Sequence, residues 1–287
     1  MSRIAYVAGQ YLPHSQASVH IEDRGYQFAD GVYEVVAVSG GRRIDDDLHF
    51  ERLERSLGAL DIPMPMSRRA LAVVMDQVLR LNRVRDGIIY LQVTRGQAPR
   101  DHAWSGPSSP VLTVTARRQS PPDEALASQG VAVITLKDQR WKRNDIKSVN
   151  LLANIMAKYK ARAEGAYEAW LIDDDDLITE GTSTTAWIVS SDGQLITRPL
   201  DEAILGGVTR AALIHIARAA GMEVEERPFS RTEALAAREA FLTSTSAYVL
   251  AIVSIDGQKI GDGTPGPVTL NLLDRYRRHV SGNDFSG

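Results

Sequence analysis

Lys147 and Glu180 are the residues whose types and surroundings say most about chemistry. Lys147 lies in Arg143-Asn144-Asp145-Ile146-Lys147-Ser148-Val149-Asn150-Leu151-Leu152, and Glu180 opens Glu180-Gly181-Thr182-Ser183-Thr184-Thr185-Ala186-Trp187. A primary amine can hold an aldehyde as a Schiff base and carry a proton, and a carboxylate can keep a pyridine nitrogen protonated. The two together are the minimum equipment for pyridoxal 5′-phosphate chemistry. Residues 150–164 read as an amphipathic helix, so Lys147 stands on an extended segment entering it and can be aimed into a cleft. The plainer alternatives are a solvated surface lysine and a turn or helix-capping carboxylate.

A phosphate needs N–H groups, hydroxyls and often a cation. Gly206-Gly207-Val208-Thr209-Arg210 opens an expected helix over 208–220, where the N–H groups and the helix dipole favour an anion. Thr243-Ser244-Thr245-Ser246 is a hydroxyl-rich turn after an expected strand, and Thr182 to Thr185 form another hydroxyl run. Arg52 can supply positive charge. Each also has a bland reading as a cap, a strand end or a surface residue.

These residues must be positioned by the elements around them. Residues 31–38 are β-rich and run into Ser39-Gly40-Gly41-Arg42, a hairpin turn signal. A helix beginning near Asp46 or Asp47, either able to cap it, carries Phe50, Leu53, Leu57 and Leu60 at helical spacing and ends before Pro63. Ser67 can cap a second helix with Leu71, Val74, Val78 and Leu81. Strands are expected at 88–94, 111–115, 131–136, 169–172, 184–189, 240–243 and 249–255. The helix over 150–164 puts Leu152, Met156 and Tyr159 on one face. A polar loop spans 96–110. Residues 117–130, with Ser120-Pro121-Pro122-Asp123, suit a linker. The expectation is an α+β chain in two domains: 1–117, a linker over 118–130, and 131–287.

The 287 residues are 44% hydrophobic and 24% charged, ordinary for a globular chain. A net charge of −3 gives no reason to expect nucleic acid or an anionic membrane as partner. The acidic run 173–176 reads as a solvated turn rather than a metal site, since no ligand cluster accompanies it. The absence of cysteine excludes disulfides, thiolate catalysis and cysteine-bound metal. No apolar stretch reaches membrane-spanning length, and a cytoplasmic location is expected.

The chain resembles the class IV, fold-type IV pyridoxal-phosphate aminotransferases, most closely the D-amino acid transaminases. The likeness runs from Asp23-Arg24-Gly25-Tyr26-Gln27-Phe28-Ala29-Asp30-Gly31-Val32-Tyr33-Glu34 to Ile255-Asp256-Gly257, with the lysine and glutamate phrases specific to the fold type. It implies a two-domain fold with the active site at the domain interface. Lys147 would be the Schiff-base lysine and Glu180 the partner of the pyridine nitrogen. Arg52, Thr209 and Thr245, with Val208 and Ser244, would hold the phosphate, and Arg140 would lie near the cofactor.

Tyr33, with Arg100 and His102 of the Arg100-Asp101-His102 loop, would bind the substrate carboxylate, the loop pair coming from the partner of a homodimer. Strand periodicity puts Tyr33, Val35 and Ala37 on one face, so all three can line the pocket. Ala37 departs from the lysine often found there, which bears on side-chain preference. The implied reaction is ping-pong transfer of amino groups between D-amino acids of the D-alanine or D-glutamate type and 2-oxo acids. Rivals on the same fold are a branched-chain L-amino acid aminotransferase, an (R)-amine transaminase and an aminodeoxychorismate lyase. From another class comes a non-catalytic carrier of the cofactor, which an intact lysine and carboxylate trap speak against.

Overall fold

The computed structural model describes residues 3–103, 105–107, 109–120 and 123–282. Two compact units emerge, Met1–Pro121 with Ile146–Asn150, and Pro122–Asp145 with Leu151–Gly287. The first contains β1 (Ile4–Val7), β2 (Gln10–Pro13), α1 (Arg24–Phe28), β3 (Gly31–Ser39), β4 (Arg42–Arg43), α2 (Asp46–Ala59), α3 (Arg68–Asn82), β5 (Gly87–Thr94) and β6 (Val111–Arg118). Its six strands form one antiparallel sheet in the order β2-β1-β6-β5-β3-β4.

Alternation along β3 builds this unit. Val32, Glu34, Val36 and Val38 are buried, whereas Tyr33 and Val35 are partly exposed on the opposite face. The buried face meets α2 and α3, giving a core that includes Val36, Leu53, Leu57, Leu71, Met75, Ile89 and Leu91. The β3–β4 turn is Gly40-Gly41, with φ of +58° and +85°, both in the left-handed region that a two-residue hairpin demands. Asp45 rather than Asp46 or Asp47 occupies the N-cap position of α2, and its side chain makes no capping hydrogen bond to the helix. Asp46 and Asp47 instead lie in the first turn, where their charge favours the helix dipole. Ser67 does cap α3, its hydroxyl accepting from the Ala70 N–H.

The second unit contains α4 (Glu124–Gln129), β7 (Val131–Lys137), α5 (Leu152–Ala163), β8 (Glu168–Ile172), β9 (Ile178–Gly181), β10 (Thr185–Val189), β11 (Leu195–Thr197), α6 (Val208–Ala219), β12 (Val224–Glu226), α7 (Arg231–Ala236), β13 (Glu239–Ser244), β14 (Tyr248–Ile255), β15 (Gln258–Lys259) and α8 (Pro267–Ser281). Its sheet runs β12-β11-β10-β13-β14-β7-β8-β9, with β15 beside β14. The pairs β11–β12, β14–β7 and β7–β8 are parallel and the others antiparallel. Trp170, Ile178, Ile188, Phe229, Leu242 and Ile252 belong to its main core.

Two features add to what the sequence indicates. The expected linker contains α4, capped by the Asp123 carboxylate. The apolar stripe of α5 does not face the core: Leu152, Met156 and Tyr159 are 67%, 59% and 69% exposed, and α5 packs through Ala161 and Ala157. Small residues let the helix lie close on β7 and β8, which turns its larger apolar side chains outward.

No helix among the described residues is long and apolar enough to cross a membrane. Leu53 is almost fully buried between helix and sheet in the first unit. Leu53→Ala should therefore lower the unfolding free energy by about 2–5 kcal/mol in chemical denaturation. A loss below about 1 kcal/mol would mean that this core collapses around the deletion.

Candidate active site

In the first unit, residues 146–149 lie along the start of β3. The Tyr33 N–H donates to the Lys147 carbonyl at 3.0 Å, the Val149 N–H donates to the Gly31 carbonyl at 3.0 Å, and Val32 is bridged to Ser148. Ile146 and Ser148 are buried. Strand alternation then places Lys147 on the other face, with its ammonium nitrogen 4.3 Å from the centre of the Tyr33 ring. The Ser56 hydroxyl accepts from the Lys147 N–H at 3.2 Å, tying this segment to α2.

The same face carries Val35 and, across the β3–β5 pairing, Tyr90 and Gln92. Tyr90 stacks with Tyr33 at 5.7 Å and donates its hydroxyl to the Gln92 side-chain oxygen. Burial, with Tyr33 adding, pushes the Tyr90 phenol up to about 12, so it remains a neutral donor near pH 7. Ala37 is buried at the far end of the strand.

Arg52 is held from behind β3. Its Nε and Nη2 donate to the two oxygens of Glu34 at 2.7 Å each, and His49 Nδ1 lies 2.7 Å from Glu34 Oε2. All three side chains are buried. Burial pushes the Glu34 carboxyl up, but the Arg52 charge and the hydrogen bonds from Arg52 and His49 outweigh it, bringing the group down to about 2.

The loop bearing Arg100 and His102 is anchored by Arg24, whose Nη1 donates to the Asp101 carbonyl at 2.6 Å. The Arg100 guanidinium and the His102 ring both lie against Phe28, at 4.8 and 5.2 Å, and both residues are exposed.

In the second unit, Glu180 stands on β9 rather than in a turn. Arg140 Nη1 donates to Glu180 Oε1, and the Leu205 N–H approaches both carboxylate oxygens at 3.2 and 3.3 Å. The opposite edge of Arg140 donates to Asp138, Nη2 to Oδ2 at 2.7 Å and Nε to Oδ1 at 3.0 Å. Thr179 donates to the same Asp138 oxygen at 2.9 Å. Burial alone would ease the proton off Arg140, but Glu180 and Asp138 hold its pKa above the ordinary arginine range. Burial likewise raises the Asp138 carboxyl, and Arg140 and Thr179 pull it below its usual value.

Val208 and Thr209 are buried in the first turn of α6, which no side chain caps. A Cβ at Gly207 would stand 2.8 Å from the Thr185 hydroxyl oxygen, so a side chain there would push Thr185 or the helix start aside. Thr185 pairs with Thr243 on β13, which ends at Ser244, and the turn opening with Thr245 follows directly. Ser244 Oγ accepts from the Ala247 N–H. Helix N–H groups with a hydroxyl turn suit a phosphate, and a carboxylate fixed by Arg140 and Leu205 suits a protonated ring nitrogen.

The hydroxyl run after Glu180 has a different task. Thr182, Ser183 and Thr184 all donate to the buried Glu168 carboxylate, which also pairs with Lys158 at 3.2 Å. Glu34, His49, Asp138 and Glu168 were not singled out by sequence. The available signal was a charged residue at a core-facing strand position, most clearly Glu34 between Val32 and Val36.

The family model for class IV amino-transferases matches residues 31–255. A D-alanine aminotransferase of Bacillus licheniformis is 43% identical over 273 residues, covering 95% of each chain. A branched-chain amino acid aminotransferase from Escherichia coli superposes with a TM-score of 0.92 at 22% identity, over 100% of this chain and 97% of the other. Another, from Thermobaculum terrenum and solved in its PLP form, gives 0.86 at 26% identity, over 99% and 95%.

The Glu34 carboxyl predicts a pH dependence of stability. A folded pKa depressed from 4.5 to about 2 stabilises the fold above 4.5, and that stability is lost as pH falls through 2. The group should contribute about 3 kcal/mol across this window. Denaturation at stepped pH should show Glu34→Gln to be less stable than the native chain at neutral pH and to lack this part of the slope. Equal slopes in the two proteins would remove Glu34 as the origin.

Proposed function

Because the chain belongs to the class IV aminotransferases, we propose that it transfers amino groups between D-amino acids, such as D-alanine and D-glutamate, and 2-oxo acids, with pyridoxal 5′-phosphate as cofactor. The observation that carries this reading is the Lys147 amine held over the Tyr33 ring. A nucleophile and a carboxylate-binding hydroxyl group thereby share one sheet face. When bound, the cofactor supplies an aldehyde that takes up the amino group and a ring that delocalises negative charge from the α-carbon.

Lys147 is the residue that would hold that aldehyde through its amine. As the free amine beside Tyr33, Lys147 would be the group that takes and returns the proton of the α-carbon. Glu180, itself held by Arg140, would keep a proton on the ring nitrogen. For the phosphate, the second unit would offer the α6 N-terminus at Val208 and Thr209 with Ser244 and Thr245, and the first unit would offer Arg52.

Tyr33 binds the substrate carboxylate, and Val35 lines the pocket. Arg100 and His102 complete the carboxylate trap from the partner in a homodimer; their exposure on a loop braced by Arg24 and Phe28 supports this. The outward face of α5, with Leu152, Ile155, Met156 and Tyr159, offers apolar surface to a second copy. The second reading, a branched-chain L-amino acid aminotransferase, draws on the likeness to the Thermobaculum terrenum structure at 26% identity.

Lys147→Ala should abolish steady turnover. Wild-type-like turnover by that variant would remove Lys147 from its role. A hydrogen bond to a charged group is worth roughly 1.5–3 kcal/mol, so losing two by Arg100→Ala should lower kcat/KM for D-alanine by about 10²–10⁴. The two substrate readings separate in the cofactor's absorption band. D-alanine alone should bleach it; bleaching by L-leucine alone would establish the second reading instead.

A further inference from the structure

We propose that Asp138 is a positioning residue for the ring-nitrogen partner: by occupying Arg140, it leaves Glu180 able to balance a protonated pyridine nitrogen. This rests on the assignment of Glu180 to that nitrogen. A guanidinium paired with one carboxylate forms a unit without net charge. Were Arg140 and Glu180 such a pair, the arginine would already supply the cation that Glu180 needs, and a proton on the ring would gain little from it.

Asp138 changes this balance. It takes the Nε–Nη2 edge of Arg140, the edge suited to two parallel bonds, and also accepts from the Arg140 backbone N–H at 3.0 Å and from the Thr179 hydroxyl. Arg140 meets Glu180 through Nη1 alone and donates to the Ala203 carbonyl through Nη2. With all three side chains ionised, the group carries one net negative charge, which a pyridinium would neutralise. The three are largely removed from water, with side-chain exposures of 11% for Asp138, 5% for Arg140 and 8% for Glu180, so screening is weak.

The other carboxylates nearby are compensated separately. Asp138 and Arg140 border a cavity of about 280 Å³ also lined by Lys142, Asp173, Asp174 and Glu202. Asp173 pairs with Arg198, Asp174 with Lys137, and Glu202 with Arg143. These acids are therefore engaged elsewhere, and Asp138 is the carboxylate that meets Arg140 directly opposite Glu180.

The test is the ring-nitrogen NMR signal of protein loaded with ¹⁵N-pyridoxal phosphate. Native protein and Asp138→Glu should show a protonated nitrogen, whereas Asp138→Asn and Asp138→Ser should show it shifted toward the neutral pyridine position. Thermal melting monitors folding, and the two neutral variants guard against one failing to fold. Asp138→Asn/Arg140→Gln removes both charges and should restore the protonated signal, an outcome that a purely structural role for Asp138 would not give. A native-like signal in a folded neutral variant, or no recovery in the double variant, overturns the proposal. A protonated nitrogen in Glu180→Gln would overturn the Glu180 assignment itself.

Discussion

A charged group removed from water must find a partner, and this constraint organises both units. The cost of stranding one buried ion is several kcal/mol, more than a surface contact can return. In the first unit, β3 turns Glu34 toward α2, where Arg52 and His49 meet it. Nearby, Arg24 and Arg95 share Asp30. In the second, Arg140 lies between Asp138 and Glu180, while Glu168 gathers three hydroxyls and Lys158.

Even a helix start obeys this rule. Glu239 on β13 accepts from the Val268 and Thr269 N–H groups and so caps α8 from outside the helix. Gly266 leaves room for that carboxylate, since a Cβ there would lie 2.1 Å from its carbon. The acids come mostly from strands, which point alternate residues inward regardless of polarity. Helices, turns and backbone amides supply many of the donors. The pairing thus locks elements far apart in sequence, as Glu34 with Arg52 or Glu239 with Thr269.

Such long-range partnerships explain what was legible in sequence. The β3 alternation, the Ser39–Arg42 hairpin, and the α2, α3 and α6 helices follow from local periodicity and turn chemistry, and were readable. Lys147 and Glu180 stood out through their phrases. The task of Asp138 did not, because a carboxylate two residues before an arginine says nothing about Glu180, forty positions on. The hydroxyl run after Glu180 was ambiguous for the same reason: only the position of Glu168 decides where Thr182, Ser183 and Thr184 donate. On α5, periodicity revealed an apolar face but not its direction. That was set by Ala157 and Ala161, which permit close approach to the sheet.

Strand alternation also separates what stabilises the first unit from what its exposed face can recognise. Val32, Glu34 and Val36 are committed to the core and its ion pair, whereas Tyr33 and Val35 on the other face carry fewer packing obligations. The 146–149 segment repeats the division, with Ile146 and Ser148 inward and Lys147 beside Tyr33. A change at an outward position can alter the chemistry offered to a substrate without opening a cavity in the core. A branched-chain amino acid aminotransferase shares the fold with a TM-score of 0.92 at 22% identity. In this chain the buried pairs, Glu34 with Arg52 among them, belong to the scaffold, while Tyr33 and Val35 stand where a side chain can change at the least cost to it.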